Sequence, residues 1–293
     1  MKSGFVAIVG RPNVGKSTFL NNFLASKVAI ISDKPGTTRH FIHGVYHEED
    51  YQIVFVDTPG IHKPKHQLGE VLNQTAYQSL KEADVVFFLV DASAKLGKGD
   101  QRIIDVLKQK NRPVILGLNK IDKIKKDEIL LKIDEYQKLY DFAAIIPISG
   151  LKKENFDSFL QVVKQHLNDD IPYYPKEQVT NRSLEFMVGE IIREKVLFLT
   201  KEEVPHSITC LVENMRKTQN KTIIDALIIV DRTSLKKIIL GRQGAMIKKI
   251  GTLAREEIEA LLNDKVYLQL YVKVIKKWRE KKDKLKELGY GGN

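Results

Sequence analysis

Apolar residues in the first half of the chain fall into short runs separated by helical spacing. Phe5-Val6-Ala7-Ile8-Val9 is continuous, partly β-branched and bounded by glycines, which predicts a buried strand. From Thr18 the period changes, and Phe19, Leu20, Phe23 and Leu24 recur as on one face of a helix. Residues 51–56, 113–118 and 143–148 repeat the strand pattern. Near-continuous apolar strands of this kind predict an α/β layer with a mixed, mostly parallel sheet covered by helices.

The pattern breaks at Asn168-Asp169-Asp170-Ile171-Pro172-Tyr173-Tyr174-Pro175, which reads as a linker. Beyond it the order of elements is different. Residues 182–199 have helical spacing, with Phe186, Ile191 and Val196 among the apolar positions. Residues 207–215 and 222–231 read as a pair of strands joined through Thr218-Gln219-Asn220. A short helix over 234–240 leads into Gly241-Arg242-Gln243-Gly244. A longer helix follows, carrying Met246, Ile247, Ile250, Leu253, Ile258 and Leu261, and 266–275 is a third strand. The expectation is an α/β domain over 1–170 and an α+β domain over 171–293, in keeping with a chain of 293 residues.

Candidate chemistry lies at the predicted strand ends. After the first strand comes Gly10-Arg11-Pro12-Asn13-Val14-Gly15-Lys16-Ser17, then Thr18. This matches the phosphate-loop pattern, in which Lys16 reaches the β- and γ-phosphates and the Ser17 hydroxyl is a Mg²⁺ ligand. A helix N-terminus leaves backbone N–H groups unpaired, so Asn13 to Thr18 are the expected phosphate contacts. Asn119-Lys120-Ile121-Asp122 follows the strand 113–118. A carboxylate there accepts from guanine N1–H and its 2-amino group, whereas adenine would leave it desolvated and unpaired. Asn119 would brace the loop and the Lys120 stem would lie along the base. Asp57-Thr58-Pro59-Gly60 follows the strand 51–56, placing Asp57 for Mg²⁺ and the Gly60 N–H for the γ-phosphate. Ser149 and Gly150 end the last strand, where their N–H groups would meet guanine O6.

These motifs resemble the translation-factor-like P-loop GTPases, and Gly36-Thr37-Thr38-Arg39 resembles the first switch of the Era family within them. The resemblance makes Thr38 the switch threonine of the Mg²⁺ shell, with Thr37 the adjacent alternative. Ser149-Gly150 departs from the usual Ser-Ala, which keeps the N–H and loosens the loop. Phosphoryl transfer needs an aligned water and charge compensation. Ile61 stands where Ras-type enzymes carry a water-orienting Gln, so slow intrinsic turnover is expected, with Lys16, Thr38, Gly60 and Asn13 as the catalytic set. Similar GTPases with Asn at the position of Asn13 use it to hold K⁺ in place of an arginine finger.

Charge sharpens the reading of the second half. Of the net +11, +3 falls in residues 1–170 and +8 in 171–293, which points to a polyanion partner. The order of elements with G-x-x-G between two helices resembles a type II KH domain, flanked by Lys236, Lys237, Lys248 and Lys249. KH domains clamp about four single-stranded nucleotides. Candidate RNA contacts are Gly241, Arg242, Gln243, Gly244, Lys248 and Lys249. The basic run at the end of the chain, read as a helix, adds Lys277 and Trp278 as a rim that meets phosphates and stacks a base.

Other classes fall away. No apolar run approaches a membrane span, Met1-Lys2-Ser3-Gly4 leaves no room for a signal peptide, and cytoplasm is the expected location. The single cysteine, Cys210, excludes an intrachain disulfide and reads as a buried small hydrophobe. His40, His43, His47, His62 and His66 read as polar residues of mobile switch loops. The tail Lys276-Lys277-Trp278-Arg279-Glu280 and Gly289-Tyr290 also resemble the Era family, so the likeness spans essentially the whole chain. It implies a monomeric GTP/GDP- and Mg²⁺-dependent switch that holds the 3′ end of small-subunit ribosomal RNA during 30S assembly. Such proteins also associate peripherally with the inner face of the membrane. The alternative is a membrane-associated signalling GTPase whose basic tail meets lipid.

Overall fold

The computed structural model describes all residues except Pro35, His62, Lys63, Lys65, Glu203 and 291–293. The chain forms two compact units whose main division follows Asn181, with the short stretches Ser32–Lys34 and His66–Leu68 grouping with the second. The first contains β1 (Lys2–Val9), α1 (Lys16–Phe23), β2 (Ile42–His47), β3 (Tyr51–Asp57), α2 (Gln67–Glu82) and β4 (Val85–Asp91). It continues with α3 (Lys98–Leu107), β5 (Val114–Asn119), α4 (Lys126–Gln137), β6 (Ala144–Pro147) and α5 (Phe156–Gln165). Its sheet has the order β2-β3-β1-β4-β5-β6. Every neighbouring pair is parallel except β2 with β3, so the sheet is mixed and mostly parallel.

The apolar runs explain this arrangement. Val85 to Val90 of β4 are wholly buried, as a strand covered on both faces requires. Phe19 of α1 packs edge-on against Phe159 at 5.1 Å and lies 4.9 Å from Phe87. Burying each such ring stabilises by roughly 1.5–3 kcal/mol, and here it seats the helix directly behind the phosphate loop.

Residues 169–181 lie along the first unit. Ser3 and Asp169 form a bridge, and the buried Gln52 amide accepts from Tyr173 N and donates to the Tyr174 carbonyl at 2.7 Å each. Gly44 of β2 then bridges to Thr180, and Val45 N–H donates to the Val179 carbonyl at 2.9 Å. The loop reading of His43 and His47 is corrected here, since both belong to β2. The His43 Nδ1 lies 2.6 Å from the Tyr174 hydroxyl and His47 Nε2 lies 3.0 Å from the Gln178 carbonyl. His62 lies outside the described residues.

The second unit contains α6 (Leu184–Leu199), β7 (Ile208–Lys217), β8 (Thr222–Val230), α7 (Thr233–Leu240), α8 (Ala245–Leu262), β9 (Val266–Val274) and α9 (Lys282–Glu287). Its sheet has the order β7-β8-β9, with β7 and β8 antiparallel and β8 and β9 parallel. Ser183 caps α6 by accepting from Phe186 N–H. Cys210 is buried in β7.

Candidate functional site: a phosphate loop, a base loop and a glycine loop

The first unit gathers its chemistry at the C-terminal ends of β1, β3, β5 and β6, where α/β sheets of this kind bind ligands. The loop after β1 wraps the N-terminus of α1. Gly15 has φ 103°, and a Cβ there would lie 2.4 Å from Asn119 Nδ2, so only glycine fits. Lys16 is buried and its ammonium donates to the carbonyls of Gly10 and Arg11 at 3.3 and 3.1 Å. Burial lowers its pKa to about 8, against the opposing pull of Asp57.

Three oxygen donors converge beside it. The Ser17 hydroxyl donates to Asp57 Oδ2 at 2.9 Å, and Thr38 Oγ1 lies 3.1 Å from Ser17 Oγ and 3.3 Å from Asp57 Oδ2. Thr38 thus brings its hydroxyl into this cluster. Asp57 is fully buried, and its Oδ1 has no hydrogen-bond partner among the described residues. Burial raises its pKa, while Lys16, Ser17 and Thr38 oppose the shift. Two hydroxyls and one carboxylate with an orphaned oxygen are the hard donor set that Mg²⁺ takes, with waters completing its octahedron. The residues present therefore fit Mg²⁺.

The base loop is tied to the phosphate loop by side chains. Asn119 Nδ2 donates to the Val14 carbonyl at 2.7 Å, and its Oδ1 accepts from Gly150 N–H at 2.8 Å. Lys120, at φ 65°, donates to the Asn13 carbonyl at 2.7 Å and to Asp91 Oδ2 at 2.6 Å. Asp122 is exposed, and one of its oxygens accepts from the Ser149 hydroxyl at 2.6 Å. That bond holds the Asp122 carboxylate against the end of β6.

Three participants were not legible as motif residues. Asp91, at the end of β4, holds Lys120. Burial opposes its charge, but the bonds from Lys120 and Ser93 outweigh that and hold its carboxyl below the ordinary range. Arg11 donates through Nε to the buried Asp100 at 2.8 Å, and Asp100 also accepts from Gly97 N–H at the start of α3. Gly60 packs within 2.9 Å of Pro12 N, measured from the Cβ it lacks. Ile61 is 2% exposed and belongs to the core with Ala76, Leu80 and Val90. The position of a water-orienting glutamine thus faces the interior.

In the second unit, the turn between α7 and α8 carries three left-handed residues, Gly241 (φ 71°), Gln243 (φ 51°) and Gly244 (φ 78°). A Cβ on Gly241 would sit 2.7 Å from Met246 N, which closes that position to other residues. Arg242, Gln243, Lys248 and Lys249 are exposed on this turn and the first turns of α8. Beside them an open groove of about 330 Å³ lies between α8 and β9, lined by Lys248, Thr252 and Arg255 on one side and Tyr267, Leu268 and Leu270 on the other. The strand itself was expected from the sequence, but its residues carried no motif and none was among the candidate RNA contacts.

Trp278 is corrected. It is fully buried, its Nε1 donates to the Ser207 carbonyl at 3.2 Å, and it stacks on Tyr290 at 5.8 Å. It anchors the end of the chain and cannot offer a face to a base. The predicted single basic helix is a short 3₁₀ turn (Trp278–Glu280) followed by α9, with Leu285 and Leu288 also buried. Lys277 remains exposed, outside the residues that line the groove.

Residues 5–120 match the 50S ribosome-binding GTPase family and residues 203–279 match the KH domain family. An Aquifex aeolicus Era variant bound to GDP·AlF4⁻ is 43% identical and superposes with a TM-score of 0.96. A structure of Era in complex with MgGDPNP and nucleotides 1506–1542 of 16S ribosomal RNA is likewise 43% identical, with a TM-score of 0.97. Both alignments cover 100% of this chain and 100% of the other. With that identity sustained through both units, the chain belongs to the Era family of GTPases.

Proposed function

We propose that this protein is a GTP-hydrolysing switch that binds the 3′ end of small-subunit ribosomal RNA and acts in assembly of the small ribosomal subunit. The convergence of Ser17, Thr38 and Asp57 on one point beside Lys16 carries the reading. Thr38 comes from the switch segment and Asp57 from the end of β3, so only their joint use makes the cluster. Mg²⁺ bound there would offset charge on the β- and γ-phosphates. Lys16 would meet the same phosphates, and the Gly60 N–H would face the γ-phosphate. Asp122 would read guanine, with Ser149 fixing its carboxylate and the Ser149–Gly150 N–H groups facing O6.

Water alignment is the step this chain supplies weakly. Ile61 points into the core, so turnover is slow until a cation or partner completes the site. Asn13 stands exposed at φ 66° on the loop, in reach of a K⁺ ion beside the phosphates. The two Era complexes, with GDP·AlF4⁻ and with MgGDPNP plus 16S RNA, support this assignment of both units.

RNA would lie across Gly241–Gly244, where the missing Cβ atoms let the backbone approach phosphates, and into the groove along β9. Arg242, Gln243, Lys248 and Lys249 supply donors there, with Lys277 further out. One chain holds both halves, so a monomer suffices, in the compartment that holds the ribosomal subunit. No helix among the described residues is long and apolar enough to cross a membrane. The deciding experiment replaces Arg242 and Gln243 with Asp together. RNA carrying the 16S 3′ end should no longer bind, and GTP hydrolysis should be unchanged. Retained RNA affinity would remove the glycine loop from the interface.

A further inference from the structure

The first unit carries a second basic groove at the opposite ends of its strands from the nucleotide motifs. It lies between the α3–β5 connection and the α4–β6 connection, before β5 and β6 begin, and has a volume of about 780 Å³. Asn119 ends β5, so the six residues of that strand separate the groove from the base loop, a span of roughly 20 Å. Lys108, Lys110 and Arg112 line one side, and Lys138, Tyr140 and Asp141 line the other. The net charge of these residues is +3, equal to that of the whole of residues 1–170.

We propose that this groove is a second RNA-binding site, taking the phosphate backbone of a segment of small-subunit RNA separate from the 3′ end held by the second unit. The proposal rests on the assignment of small-subunit RNA as the partner. Lys108, Lys110 and Arg112 alternate along the chain and none has a salt-bridge partner among the described residues. Lys138 is held by Asp134, which leaves the other three to meet an external anion. A repeating polyanion answers several cations spaced along a trough. Tyr140, half-buried in the wall, adds a hydroxyl and a ring that a sugar-phosphate chain can meet. Since the groove does not overlap the nucleotide motifs, both sites can be filled at once.

The test is the full-length protein with Lys108→Glu, Lys110→Glu and Arg112→Glu combined, all at positions outside the nucleotide machinery. Binding is measured to intact 16S ribosomal RNA and to its nucleotides 1506–1542 alone. Affinity for intact RNA should fall at least about tenfold, and the slope of log K against log salt should become shallower by roughly 2 to 3. Affinity for the fragment and GTP hydrolysis should not change. Unchanged affinity for intact RNA overturns the proposal, as does equal loss for RNA and fragment. A variant that keeps both RNAs and loses binding to anionic phosphatidylglycerol vesicles assigns the groove to lipid and also overturns it. If the unsubstituted protein binds neither RNA, the RNA reading itself has failed.

Discussion

Asn119 is the strut between the two halves of the nucleotide site, and its removal has a calculable effect. Its amide satisfies the Val14 carbonyl and the Gly150 N–H at 2.7 and 2.8 Å, both buried. Asn119→Ala orphans both groups, and each costs about 1–3 kcal/mol when left unpaired. The total is about 2–6 kcal/mol, part of which is relieved as the loops relax and admit water. Taking the lower bound, about 2 kcal/mol, GDP should bind roughly 30-fold more weakly. Asn119→Asp separates geometry from bulk. It keeps an acceptor for Gly150 N–H but sets a carboxylate oxygen against the Val14 carbonyl, so it should bind GDP more weakly than the alanine variant. Titration with a fluorescent GDP analogue reads both, and RNA binding by the second unit reports that the protein is intact. A GDP affinity within about threefold of the unsubstituted protein for Asn119→Ala, or tighter binding by Asn119→Asp than by Asn119→Ala, refutes the strut.

Asp122→Asn should shift preference from GTP to xanthosine triphosphate, whose 2-oxo group accepts from the new amide; equal affinity of the unsubstituted protein for ATP and GTP would remove Asp122 from that role. Potassium should accelerate turnover over sodium, and Asn13→Ala should abolish the difference while sparing most GDP affinity; identical rates in the two salts would point to a partner instead. Trp278→Ala should destabilise the second unit by about 3–5 kcal/mol, seen as an earlier thermal transition, because a filled core position is emptied. An unchanged transition with weaker RNA binding would return Trp278 to the interface. Burial sets the Lys16 pKa near 8 in the fold against 10.5 ordinarily, so between those values the unfolded chain holds the extra proton. Nucleotide-free protein should therefore gain stability as pH rises through that window, by at most about 1.4 kcal/mol per pH unit relative to Lys16→Met. Parallel profiles for the two proteins would refute this.

The legible features of the chain share a cause. β1, β3 and β5 are covered on both faces, so their apolar runs are unmistakable, and the phosphate, Asp57 and Asn119 motifs follow directly at their ends. Asp91 and the Arg11–Asp100 pair follow no local pattern, since each acquires its role only when distant strand ends and helix starts are brought together. Trp278 misled for a related reason. A tryptophan among lysines reads as an exposed aromatic, and only the packing of Tyr290 and β7 around it reveals a core residue. His43 and His47 sit in a strand that alternates with polar residues, a pattern easily taken for a switch loop.

The segment that crosses β2 gives the first unit a property of its own in solution. An uncovered strand edge is a template on which other chains can pair, and β2 is an outer strand of this sheet. Val179 and Thr180 occupy part of that edge, and Asn181 accepts from the His43 N–H. A fragment ending at Asp170 keeps every nucleotide motif but bares these groups, whereas one ending at Asn181 keeps the edge sealed. The eleven residues between those ends therefore act as a built-in guard against self-association of the nucleotide-binding unit.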